Sequence, residues 1–218
     1  MVCGIWLTQL KSDTPQYLAS KNTFLMEKAK LIHFIQHILP MPTEKAQEVA
    51  QHFTIKKIIK NNYILQEGKV CKESHFIEEG LLRAYVIDVE GGEVTTNFYG
   101  KNIFANDFLS FFKRIPSDEN IQAMTDCTTW SIGYEDLQTC FHTIPEFREF
   151  GRMMLINNYS RLKDRMLGMI QHTAEQRYLK LIETHPEIFQ HAPLKNIASY
   201  LGITDTSLSR IRKEISKK

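Results

Sequence analysis

Between residues 53 and 134 the apolar residues come in short β-branched and aromatic runs, and on either side of this stretch the apolar period lengthens to that of a helix. The runs are 53–59 (FTIKKII), 63–66 (YILQ), 75–78 (HFIE), 81–89 (LLRAYVIDV) and 93–99 (EVTTNFY), with two more at about 120–125 and 128–134. Turn residues separate them: Asn61-Asn62, Glu67-Gly68, Glu79-Gly80, Gly91-Gly92 and Gly100. Strands this short bury an apolar face by closing antiparallel into a sandwich, jelly roll or barrel. Gly91-Gly92, set between alternating strands, predicts a two-residue hairpin turn in which both positions need positive φ. Asp88 and Glu90 beside it read as hairpin polars rather than a general acid–base pair.

Helices are expected to flank the strands. Leu31, Phe34, Ile35 and Ile38 recur at spacings of three and four, which predicts a helix from about Phe24 to Leu39. Pro40 and Pro42 stop it, and Thr43 can cap a second short helix carrying Glu44, Val49 and Ala50. Residues 1–25 have no clear period, and Met26 could itself be the translation start. After Pro145 the helical period lasts about 25 residues, with Leu155, Tyr159, Leu162, Met166 and Met169 forming a heptad seam. Such a seam packs on the β domain or pairs with a twin. Asn157, Asn158, Arg161 and Arg165 leave little apolar width, which favours pairing. A further helix over 173–184 opens on Thr173 and Gln176, a capping-box spacing, and His185-Pro186 ends it.

Residues 194–213 (LKNIASYLGITDTSLSRIRK) read as two short helices joined at Gly202, where a left-handed backbone position calls for glycine. Ile197, Ala198 and Leu201 face inward on the first helix; Ile203 plugs the junction; Leu208 and Ile211 anchor the second. Thr204 is the expected cap of that second helix, whose outer face presents Asp205, Thr206, Ser207, Ser209, Arg210 and Lys213. This spacing is a helix-turn-helix signature, and hydroxyls and guanidinium groups suit phosphates and base edges. Charge agrees. Residues 161–218 hold eleven Lys and Arg against six acids, so a chain of net +2 divides into a basic end and a mildly acidic body.

The remaining composition bounds the alternatives. At 218 residues, 43% hydrophobic and 24% charged, the chain reads as one moderate domain plus a small one. No apolar run is long enough to span a membrane. Cys3, Cys71, Cys127 and Cys140 are widely separated, which predicts no zinc site and a cytoplasmic protein with reduced thiols. No GxSxG, HExxH, P-loop or dinucleotide fingerprint is present, so no enzyme is expected.

A β-roll, a long seam helix and a C-terminal helix-turn-helix, in this order, resemble the CRP/FNR family of transcription regulators. "EEGLLRAYVIDVEGGEVTTNFYG" and "IASYLGITDTSLSRIRK" are the matching segments, and the resemblance covers about residues 26–213. It implies an α+β chain: an antiparallel jelly-roll, cyclic-nucleotide-binding-like domain (26–144), a long dimerisation helix (145–171) and a small helix-turn-helix domain (172–218) with a truncated wing. It further implies a cytoplasmic homodimer that binds double-stranded DNA, contacts RNA polymerase and senses a small-molecule effector. By position, Arg210 matches the base-reading arginine, with Asp205 and Thr206 at the other reading positions. The family's ribose-binding pair falls near Ala105-Asn106 and its phosphate-binding pair near Ser117-Asp118, where there is no arginine. Arg114 could substitute only if the loop is rearranged. The effector is therefore expected not to be cyclic AMP. Tyr85, Phe98, Phe104, Asn106, Phe108, Ser117, Asp118 and Tyr159 are the expected pocket residues, core packing being the competing role of the aromatics. No cofactor or metal is expected, because iron–sulfur sensing needs an N-terminal cysteine cluster and His75 reads as a surface or packed histidine. The other reading is a dimeric ligand-sensing or protein-interaction module with a vestigial DNA-binding end.

Overall fold

The computed structural model describes residues 28–216; residues 1–27, with Cys3, Met26 and the expected helix start at Phe24, and Lys217 and Lys218 lie outside it. Helices α1 (Ala29–Ile38) and α2 (Thr43–Gln51) pack Leu31, Ile35, Val49 and Ala50 into the core. Thr43 does not cap α2. Pro42, whose ring fixes φ near −55°, takes the N-cap position, and the Thr43 hydroxyl accepts from Gln36 Nε2 instead. The buried Lys28 ammonium donates to the carbonyls of Ala50 (2.7 Å) and Phe53 (2.6 Å), a cation placed where the helix dipole is negative.

The strands are β1 (Thr54–Ile58), β2 (Tyr63–Leu65), β3 (Glu73–Glu79), β4 (Leu82–Ile87), β5 (Glu93–Tyr99), β6 (Phe104–Ala105), β7 (Asn120–Ala123) and β8 (Cys127–Gly133). They form two four-stranded antiparallel sheets, ordered β1-β8-β3-β6 and β2-β7-β4-β5, which is the expected jelly roll. Pleat alternation divides β4 and β5 between two cores. Leu82, Ala84 and Tyr99 join the roll interior, whereas Leu81 and Phe98 join the core of the C-terminal helices.

The hairpin differs from its expected form. Ile87 pairs with Glu93, so the loop runs over 88–92, and Gly91 alone has positive φ (81°). Asp88 Oδ1 accepts from the amides of Glu90 (2.9 Å) and Gly92 (2.8 Å), and this local capping holds the wider loop open. Helices α3 (Phe108–Lys113) and α4 (Tyr134–Thr143) also depart from the sequence reading. At six residues α3 is too short to display a period. In α4 the buried positions are only Leu137 and Cys140.

Helix α5 (Pro145–Gln171) serves two purposes along its 27 residues. Phe147 and Phe150 are buried against the roll, with the Phe150 ring 6.4 Å from Phe104 and 6.5 Å from Phe34. From Leu155 onward most of its apolar side chains are exposed. It ends where His172 and Thr173 are extended, and α6 (Ala174–Thr184) starts on the expected Thr173/Gln176 capping box. Pro186 begins an additional short helix, α7 (Pro186–His191), before α8 (Leu194–Tyr200) and α9 (Asp205–Ile215).

Candidate DNA-binding and effector sites

In the C-terminal unit, Ile197, Ala198, Leu201, Leu208 and Ile211 are buried together with Tyr178, Leu181 and Ile188. Leu179 and Ile182 of the same helix α6 are 43% and 38% exposed. Gly202 has φ +66°, as the turn requires, and a Cβ there would lie 2.4 Å from Met169 Cε. Thr204 caps α9, its hydroxyl accepting from the Ser207 amide at 3.2 Å. With Leu208 and Ile211 inward, Thr204, Asp205, Thr206, Ser209, Arg210 and Lys213 are exposed and Ser207 is half-buried. The outer face is polar, with one acid at its dipole-favoured N-terminus and cations toward its end.

The unit is not tethered by α5 alone. It docks on β5, an edge strand: the Thr95 amide donates to Ser199 Oγ (2.8 Å), and the Phe98 and Tyr200 rings meet edge-on at 5.3 Å. Arg165 of α5 donates to the carbonyls of Thr96 and Tyr200 and stacks 4.2 Å over the Tyr200 ring. Beside this contact Arg83 is buried, bonded to Thr95 Oγ1 (2.9 Å) and Glu93 (2.6 Å) and stacked on Tyr85, while its Nη2 is buried without a partner. No sequence signal singles out Ser199, Thr95 or Arg165 for this contact, because each is matched to a partner remote in the chain.

Residues 55–143 match the cyclic nucleotide-binding domain family. Among solved structures, the c-di-GMP-responsive global regulator CLP of Xanthomonas campestris is 15% identical, with 81% of this chain and 92% of that one covered at a TM-score of 0.63. FixK2 from Bradyrhizobium japonicum is 16% identical over 76% and 85%, TM-score 0.63. A protein from Eubacterium rectale, described as a regulator of the crp/fnr family, is 16% identical over 83% and 88%, TM-score 0.62. Residues 55–143 therefore resemble a cyclic nucleotide-binding domain, and the chain shares the fold of these solved structures. No curated protein matches the sequence significantly.

Ser117-Asp118, where the resemblance to CRP/FNR regulators leads one to expect a nucleotide phosphate, is filled from inside the chain. Ser117 is buried and donates to Asp107 Oδ2 at 2.6 Å, while its oxygen accepts from the Glu119 amide at 3.0 Å. Asp107 Oδ1 caps α3 by accepting from the Ser110 amide. The Asp107 carboxylate thus already holds the hydroxyl that a phosphate at this position would use, and burial pushes the neighbouring Glu119 carboxyl above its ordinary range. Arg114 is no replacement. It sits in the left-handed region (φ 57°), donates to the Cys71 carbonyl at 2.8 Å and stacks over Tyr134. The α3 cap Asp107, which sequence reading passed over, is the residue that closes this cradle.

The expected pocket residues do not share one cavity. Phe104, Asn106 and Phe108 line an apolar cavity of about 80 Å³ between the roll and α5, with Phe112, Phe150 and Met154. Tyr85 lies on the other side of β4, hydrogen-bonded to Tyr63 (3.0 Å), and Phe98 packs on Tyr200. Ser117 is sealed by Asp107, Asp118 is exposed beside it, and Tyr159 is 63% exposed on α5. Strand alternation separates residues that a list of aromatics groups together. Of the seam, Leu155, Tyr159, Leu162 and Met166 are 50–66% exposed, and Met169 is 41% exposed while also touching the Gly202 turn.

The thiols and His75 are structural. Cys71, Cys127 and Cys140 are buried and unpaired, and burial pushes Cys140 up to about 11. His75 is packed, with Nδ1 3.1 Å from Thr129 Oγ1, and burial lowers its pKa to about 4. Among the described residues no helix is long and apolar enough to cross a membrane.

Proposed function

We propose that this chain is a homodimeric, sequence-specific DNA-binding transcription regulator whose roll does not respond to cyclic AMP. The observation that carries the proposal is α9: a capped helix, anchored by Leu208 and Ile211, with its hydroxyl- and cation-bearing face turned outward. Its Arg210 has the fork and reach to pair with guanine O6 and N7, worth about 1–3 kcal/mol of discrimination. Lys213 supplies sequence-blind attraction to phosphate, and Thr206 and Ser209 reach bases or backbone. Asp205 stabilises the helix start or accepts from a cytosine amino group.

The exposed stripe Leu155–Met169 is the dimerisation surface in this reading. It rises about 21 Å at 1.5 Å per residue, and a parallel two-fold pair along it sets two copies of α9 about one DNA turn, roughly 34 Å, apart. Effector response belongs to the apolar cavity beside Phe104, in which the aromatic walls favour a small apolar ligand over a charged one. RNA polymerase is the protein partner that transcriptional control requires.

Site selection from random double-stranded DNA tests the reading. Arg210→Ala relaxes preference at one base pair in each half-site, whereas Lys213→Ala weakens all sequences alike and reduces the salt slope by about one. An unchanged preferred sequence in Arg210→Ala assigns this arginine to the backbone. Absence of salt-dependent DNA binding overturns the proposal and leaves a protein-interaction module.

A further inference from the structure

The region where α5, α6 and the end of α8 diverge forms a cleft of about 210 Å³, open on one side to solvent. Arg161 and Arg165 enter its wall from α5, and Arg177 and Lys180 from α6; Asp164 is the acidic side chain lining it. Among the described residues none of these four cations lies within ion-pair distance of a carboxylate. Two of them are fixed in place by neutral groups. Arg177 donates to the carbonyls of His172 (2.6 Å) and Leu201 (3.1 Å), and Arg165 to those of Thr96 and Tyr200. Carbonyl oxygens orient a guanidinium without cancelling its charge, so the cleft retains a positive field, which low-dielectric walls focus. Met169 and Leu181 supply such walls.

We propose that this cleft is a binding site for a small phosphate-bearing anion. Four cations facing one carboxylate suit a dianion, and guanidinium forks match phosphate oxygens in pairs. Size narrows the class. The volume falls below the roughly 300 Å³ at which sites for drug-sized ligands begin, which suits a diphosphate or a short phosphorylated acid. The anion bridges Arg161 of the long helix to Lys180 of α6 and so ties the helix-turn-helix unit to the seam helix across the extended His172–Thr173 hinge. This site is separate from the apolar cavity beside Phe104 and from the outward face of α9.

The test is a calorimetric titration of the full chain with pyrophosphate in chloride buffer, without DNA, so the result does not depend on the DNA-binding proposal. The expected result is saturable binding of one pyrophosphate per chain. Arg161 and Lys180 are exposed, so the double variant Arg161→Gln/Lys180→Gln folds with an unchanged thermal midpoint and binds about tenfold more weakly or worse. Lys57→Gln/Lys69→Gln on the roll binds as the parent chain does. Absence of saturable heat overturns the proposal, and so does equal affinity in the double variant. Weakened DNA binding by the double variant in a chain that takes no pyrophosphate reassigns these cations to the DNA backbone and equally overturns it.

Discussion

Leu162→Asp is the sharpest perturbation of the proposed assembly. In the described chain Leu162 is 66% exposed, at the middle of the stripe between Tyr159 and Met166. Full burial of a leucine stabilises by about 1.5–3 kcal/mol, so covering the exposed two-thirds contributes about 1–2 kcal/mol per copy. In a two-fold pair the residue is buried twice, which makes about 2–4 kcal/mol per dimer. The aspartate removes that and sets two carboxylates facing each other at the axis, an unpaired charge cost of about 3 kcal/mol or more. The sum is about 5–7 kcal/mol, or some four to five decades in the dimer dissociation constant at 1.4 kcal/mol per decade. The fold of each chain should barely notice, since substitutions at exposed positions shift stability by about 0.5 kcal/mol or less. Sedimentation equilibrium over a wide concentration range reads the mass, and thermal unfolding of the dissociated chain reads the fold. A variant of unchanged mass refutes the seam. A monomeric variant whose own fold melts substantially earlier refutes it as well, because Leu162 would then be packed within one chain.

Three further outcomes follow from the geometry. Gly202→Ala forces a side chain into φ +66° and drives its Cβ against Met169 Cε, so denaturant unfolding of the C-terminal unit should register a loss of about 1–2 kcal/mol. His75 is held neutral with a pKa near 4 against an unfolded value of 6.5; the stability it contributes is complete above pH 6.5 and is lost as pH falls through 4, about 3 kcal/mol in all, and His75→Gln should flatten stability against pH in that window. Titration with cyclic AMP should give no saturable heat, because Asp107 already occupies Ser117 and the amide at the α3 terminus; tight binding would show that this cradle rearranges.

Much of the architecture was legible in the chain because its causes are local. A strand period of two, a heptad seam, the Thr173/Gln176 capping box and the glycine at 202 each depend on residues within one or two turns of one another. The exposed face of α9 follows in the same way, once Leu208 and Ile211 are assigned inward. Sequence alone also shows no arginine at Ser117-Asp118, where the resemblance places a phosphate.

Tertiary structure decided what depends on which side of a sheet a residue faces and on what lies across from it. Tyr85 and Phe98 left the expected pocket because alternation on β4 and β5 turns them away from the roll interior that Leu82 and Ala84 face. The Gly91-Gly92 turn widened because the Asp88 carboxylate satisfies two loop amides, a competition that residue propensity does not register. Docking of the helix-turn-helix on β5, the self-filled cradle at Asp107 and the convergence of Arg161, Arg165, Arg177 and Lys180 join residues between 3 and 104 positions apart. Their charges and hydrogen-bonding groups were plain in the sequence, but the low-dielectric surroundings that give those groups their effect exist only once the helices and sheets have closed around them.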